Sequence, residues 1–203
     1  MKTRILISLL TVLITSTIAH AQESRKTSCP IEELAIEAAL GETTAQYNLA
    51  VEFFRGERVP RDYAKAAKLW RSASDAGDVA ASNNLGYLKY YALPGVSQDY
   101  AEAIRLWRLA AERGNAESQV HLANAYYDAR YLPVDLVEAY AWASASKHNA
   151  NRGDDRFDNK ELDAAVARDA EKTLADLRKR LTPAELARAE KRATLYIEKF
   201  PPR

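Results

Sequence analysis

The sequence predicts an all-α protein, a solenoid of short helix pairs, and three recurrences carry that expectation. Gly41-Glu42, Gly77-Asp78 and Gly114-Asn115 are each followed by a small residue (Ala45, Ala81, Ser118) and then by Leu49-Ala50, Leu85-Gly86 or Leu122-Ala123, at offsets of 36 and 37 residues. Asp62-Tyr63 returns as Asp99-Tyr100 and, degenerately, as Asp135-Leu136. Leu69-Trp70-Arg71 returns as Leu106-Trp107-Arg108, whereas the third copy reads Ala139-Tyr140-Ala141-Trp142, with its Trp one position earlier relative to its Asp. Self-similarity at such a period marks a stack of supersecondary units, each burying its apolar face against its neighbours.

Taken in chain order, residues 1–21 read as a secretory signal peptide. Lys2 and Arg4 form a basic start, Ile5 to Ile18 an apolar run, and Ala19-His20-Ala21 a small-x-small cleavage site, which places the mature start at Gln22. The apolar run is too short for the roughly 20 residues a membrane span needs. Residues 22–40 contain a capping helix, Ile31 to Leu40, entered after Pro30 and closed by Gly41.

Residues 41–150 hold three repeats, at about 41–77, 78–114 and 115–150. In each, a first helix carries a Leu with an aromatic four residues on, such as Leu49 and Phe53 or Leu122 and Tyr126, which share one helix face. The second helix starts at the Asp. Asp99 with Glu102 and Asp135 with Glu138 have the spacing of a capping box, while Lys65 breaks the box at Asp62. Ala66, Ala67 and Ala73, and again Ala103, Ala110 and Ala111, are small enough to admit a neighbouring helix; Gly77 and Gly114 end the helices.

Residues 151–203 form a helical extension. His148 to Arg156 is polar and contains Asp154-Asp155, a solvated loop signal. Asp158 with Glu161 opens a helix to about Leu181, with Leu162, Val166, Leu174 and Leu177 on its apolar stripe. Arg178-Lys179-Arg180 suits the negative end of that helix's dipole. Thr182-Pro183-Ala184-Glu185 opens a last helix, which stops at Pro201-Pro202.

Composition narrows the function. Without Lys2 and Arg4, the 29 basic residues fall to 27 against 28 acidic ones, so nothing favours a nucleic acid partner. Cys29 is the one cysteine, so no internal disulfide forms and stability rests on packing. The mature chain's two histidines, His121 and His148, lack the spacing of a zinc site. No G-x-S-x-G, phosphate-binding or dinucleotide-binding motif occurs. The expectation is a non-enzyme with no cofactor and no metal.

These residues resemble the Sel-one-like repeat family, a branch of the tetratricopeptide-like α-solenoids. The first copy matches its pattern at Ala45, Leu49, Phe53, Gly56, Val59, Asp62, Tyr63, Ala66, Trp70, Ala73 and Gly77, with Ala50 in place of the usual Gly. The second matches at Leu85, Gly86, Gly95, Val96, Asp99, Tyr100, Ala103, Trp107, Ala110, Ala111 and Gly114, with one extra residue between Leu85 and Asp99. The third departs from it, with Ala129 where Gly is expected and no closing Gly. A period near 36 rather than 34 favours this branch.

The resemblance implies a right-handed α/α superhelix whose first helices line a concave face. It makes Tyr47, Val51 and Phe54, Asn83, Tyr87 and Tyr90, and Asn124 and Tyr127 the candidate contacts for a protein or peptide partner. It also implies an exported adaptor or regulator in the periplasm or cell envelope, with no membrane insertion of the mature chain. A secreted factor engaging a host protein fits the same features. An envelope hydrolase of β-lactam or cell-wall type fits them less well: such activity belongs to cysteine-rich relatives, and this chain has neither those cysteines nor a Ser–Lys or Ser–His motif.

Overall fold

The structure is a computed structural model, and it describes residues 31–128, 130–150 and 160–202. The leader, Cys29, Pro30, Ala129, Asp154-Asp155 and the Asp158 cap lie outside the described residues. What is described is helical: α1 (Ile31–Ala39), α2 (Thr43–Arg55), α3 (Tyr63–Asp75), α4 (Val79–Tyr91), α5 (Tyr100–Ala111), α6 (Ala116–Asp128), α7 (Leu136–Ala150), α8 (Lys160–Arg180) and α9 (Pro183–Lys199). Consecutive helices pack on one another from α1 to α8 in a right-handed α-solenoid. Among the described residues, no helix is long and apolar enough to cross a membrane.

The three Asp residues start the second helices by the predicted chemistry. Asp62, Asp99 and Asp135 each accept a hydrogen bond 2.9 Å from the backbone N–H three residues on. That satisfies a donor with no partner inside the helix. The two predicted boxes are only half formed, and the reason is competition. Glu102 pairs with Arg71 of α3 and Lys89 of α4 instead of reaching back. Glu138 likewise holds Arg192 at 2.7 Å and accepts from the Tyr196 hydroxyl at 2.6 Å. A partner on another helix that brings a charge outbids a neutral backbone N–H. Thr182 with Glu185, which has no such competitor, forms the complete box.

The core runs along the stack. Leu34 and Ala38 of α1 close over Ala45 and Leu49. Trp70 packs with Ala50, Ala66, Leu85 and Leu106 at the first repeat boundary. Trp107 lies with Tyr90, Leu122 and Ala123 at the second. Trp142 breaks the series: its ring meets Tyr196 at 4.4 Å and stacks on Phe200 at 5.5 Å and 15°. A shift of one residue turns a side chain by about 100° around a helix, and here it aims the Trp at the C-terminal helix. α7 is consequently covered by α6, α8 and α9. The chain end completes the seal, because Gly114 (φ +87°) has no room for a Cβ, which would stand 2.1 Å from the Pro201 carbonyl oxygen.

Candidate functional site: a polar groove on the first helices

The first helices α2, α4 and α6 lie side by side, and a cavity of about 350 Å³ opens along them, closed at one end by the start of α8 and by Pro202. Its lining includes Tyr47, Asn48, Val51, Val79, Ala80, Asn83, Asn84, Arg113, Glu117, Asn149 and Val166. That size suits one large side chain or a short peptide segment.

One hydrogen-bonded chain runs through this groove across all three repeats. The Asn84 amide donates to the Tyr47 hydroxyl at 3.5 Å. The Asn83 amide donates to Asn84 Oδ1 at 3.3 Å and to Glu117 Oε2 at 2.8 Å. Ser118 donates back to Asn83 Oδ1 at 2.7 Å. Residues 34 to 37 positions apart thus meet because the repeat brings equivalent helix levels into register. Burial raises the titration of the Tyr47 hydroxyl. Burial also raises the Glu117 carboxyl, against the lowering effect of its Asn83 bond.

The eight candidate contacts separate into four sets. Tyr47, Val51 and Asn83 line the groove, although Asn83 is only 2% exposed and serves as its floor. Tyr87 is half-buried, with its ring 4.6 Å from Tyr91 and 6.1 Å from His121. Phe54 and Tyr90 belong to the packing instead. Phe54 lies 5.5 Å from both Tyr63 and Trp70, and Tyr90 is 5% exposed against Trp107 and Tyr100. α4 has the same 13-residue length as α2 and, like α2 at Gly56, ends in a left-handed residue, Ala92 (φ 52°), so Tyr90 stands 36 positions after Phe54 and packs on Trp107 as Phe54 does on Trp70.

Asn124 and Tyr127 are already engaged by the chain itself. Thr173 of α8 donates to Asn124 at 3.4 Å, the Tyr127 hydroxyl donates to Asp176, and Arg180 stands 4.6 Å over the Tyr127 ring. α8 runs along α6 as a further first helix would, so the third repeat's share of the concave face is covered. Sequence reasoning passed over Asn48, Asn84, Glu117 and Asn149. A signal existed for two of them: Asn48 and Asn84 occupy the same repeat position, one residue before the Leu, where the third copy has His121.

His121 itself stacks on Trp107 at 4.5 Å and 22°, and its Nε2 has no hydrogen-bond partner. Burial drives its pKa down to about 4, so the ring is neutral at pH 7. No group of three or more His, Cys, Asp and Glu side chains comes together as a metal site among the described residues.

Comparison with known proteins agrees with this geometry. The Sel1 repeat family matches residues 43–78, 79–115 and 116–147. Among solved structures, the chain is similar to a Sel1 repeat protein from Oxalobacter formigenes, at 22% identity and a TM-score of 0.54, covering 73% of this chain and 99% of that one. It is also similar to a protective antigen of uropathogenic Escherichia coli strains described as displaying an SLR fold, at 24% identity and a TM-score of 0.48. That match covers 84% of this chain and 41% of the antigen, so the chain spans about two-fifths of that protein's length. No curated protein sequence matches. With three consecutive repeats matched over more than half its length, the chain belongs to the Sel1 repeat family.

Proposed function

We propose that the chain is an exported adaptor that binds a protein or peptide segment along its concave face, within the groove of α2 and α4. Sel1 repeat proteins generally mediate protein–protein interaction. The observation that carries the reading here is the groove itself: an apolar edge at Val51 and Val79 beside a row of amides and a tyrosine. Amide side chains offer both a donor and an acceptor, which is what an extended backbone presents. Tyr47 adds area at low entropic cost. A periplasmic or extracellular site of action follows from the leader-like residues 1–21.

Photo-cross-linking tests the surface. A photoreactive residue replacing Val51 is expected to trap a partner from an envelope extract, and one replacing the exposed Lys68 on α3 is not. Adducts formed equally from both positions, or from Lys68 alone, would remove the concave face from consideration. N-terminal sequencing of the exported protein is expected to begin at Gln22.

A further inference from the structure

We propose that the inner end of the groove is a cation subsite, in which Glu117 and Asn149 accept the ammonium or guanidinium group of a basic side chain in the bound segment. This rests on the peptide-binding reading above and adds to it the chemistry of the ligand.

Two side chains that line the same cavity, Glu117 and Asn149, keep acceptor capacity that the chain does not fill. Glu117 spends Oε2 on the Asn83 amide, and among the described residues no other hydrogen bond reaches its carboxylate. Among the described residues it has no ion-pair partner, although Arg55 and Arg113 line the cavity too. No cation contributes to its titration, which burial displaces upward. A carboxylate carries about four acceptor positions, so most of its capacity is not used by the chain itself.

Asn149 is the second acceptor. It is 2% exposed, and its Nδ2 faces three acceptors: the Phe200 carbonyl at 2.8 Å, Gln119 Oε1 at 3.0 Å and the Gly114 carbonyl at 3.4 Å. Gln119 is itself fixed by donating to the Ala111 carbonyl at 2.9 Å. The orientation of the Asn149 amide is therefore settled by its surroundings. Its Oδ1 is left buried without a donor. A buried acceptor without a donor costs free energy.

A carboxylate and an amide oxygen, both short of donors, define a ligand group that is rich in donors and positively charged. Lysine and arginine side chains supply three and five N–H donors with no acceptor. Their alkyl stems fit the apolar wall formed by Val79, Ala80 and Val166.

The test uses the full chain and capped tripeptides, acetyl-Gly-X-Gly-amide, with X as lysine, arginine, norleucine or glutamate, and 1,4-diaminobutane as a free alkylammonium. Calorimetry and backbone amide shifts report binding. The lysine and arginine peptides are expected to bind about tenfold or more tightly than the norleucine peptide, the difference that a charge-assisted hydrogen bond supplies. Glu117→Gln keeps an acceptor for Asn83 and is expected to erase that preference, bringing the lysine and arginine peptides down to the affinity of the norleucine peptide for the same variant. In the wild-type chain, saturating lysine peptide is expected to lower the titration midpoint of the Glu117 carboxyl, a readout independent of any variant.

Equal binding of lysine and norleucine peptides overturns the cation subsite and leaves the peptide groove standing. So does a Glu117 titration that the lysine peptide does not move. Glu117-dependent binding of diaminobutane with no binding of either basic peptide overturns the peptide source. Failure of the groove as a whole is read separately, from cross-linking at Lys68 in place of Val51.

Discussion

At the scale of single residues, the three repeat tryptophans show what one methyl group decides. Trp107 donates from Nε1 to the Asn83 carbonyl at 3.2 Å, and it gets close enough because Gly86 lacks a side chain. A Cβ there would lie 2.6 Å from that nitrogen. In the first copy the equivalent position is Ala50, and the Trp70 indole nitrogen has no partner among the described residues; that of Trp142 has none either, but the one-residue shift aims this ring at α9. Gly86→Ala gains helix propensity of up to about 1 kcal/mol, but it displaces a packed ring and orphans a buried donor, costing about 1–3 kcal/mol for each effect. A net loss of about 1–5 kcal/mol in a denaturant melt is the expected outcome; a stabilised variant would contradict this packing.

His121, stacked on the same ring and beside Tyr87, makes stability depend on pH. Its folded pKa of about 4 lies below the ordinary imidazole value of 6.5. Above pH 6.5 it is neutral in both states and costs nothing. As pH falls from 6.5 towards 4 the unfolded chain takes up a proton that the folded chain refuses, and stability drops by up to about 3 kcal/mol. Glu117 works in the opposite sense. Its raised folded pKa favours the folded state as the carboxyl protonates. Comparison with His121→Gln isolates the histidine: the wild type is expected to lose stability relative to the variant between pH 7 and pH 4.5.

At the scale of the helix, α8 is the element that redefines the site. Its hold on α6 combines an apolar seam, Val120 with Val166 and Ala170, and a polar one, Thr173 to Asn124 and Asp176 to Tyr127. Asp176→Ala removes a charged hydrogen bond, worth about 1.5–3 kcal/mol. Hydrogen exchange over 160–180 is expected to speed up accordingly while exchange over 43–55 stays as it was. Uniform acceleration would mean that α8 is not a separable unit.

The helices themselves were legible because capping Asp residues and terminal glycines act locally. The repeat register was legible because Leu and Trp recur with it. That α8 covers Asn124 and Tyr127 was not legible: an amphipathic stripe says that a helix packs, not on what. The placement of Phe54 and Tyr90 failed for a related reason: they hold the same helix position in successive repeats, and an aromatic there reads alike as a contact on the open face or as packing against the repeat's Trp.

At the scale of the whole molecule, the two ends of the solenoid are sealed unequally, and this sets how it unfolds. Repeat arrays derive their stability from nearest-neighbour interfaces, so removing a terminal element costs the interface it covers. At the N-terminal end α1 shields only a small cluster around Ala45 and Leu49, and its own Ile36 and the Leu40 that follows it are 63% and 78% exposed. At the other end α8 and α9 bury Trp142, Tyr140, Leu174, Leu177 and Phe200 in the largest cluster, and Asn149 ties the Phe200 carbonyl to the third repeat. A chain ending at Ala150 would leave Trp142 and Tyr140 without their cover, at a cost of several kcal/mol when each buried aromatic is worth about 1.5–3 kcal/mol. That truncation is expected to lower the melting temperature far more than a deletion of residues 31–40, and to red-shift tryptophan emission at temperatures where the α1 deletion is still folded. If the two deletions melt alike, the C-terminal helices are an appendage and the repeats carry the fold alone.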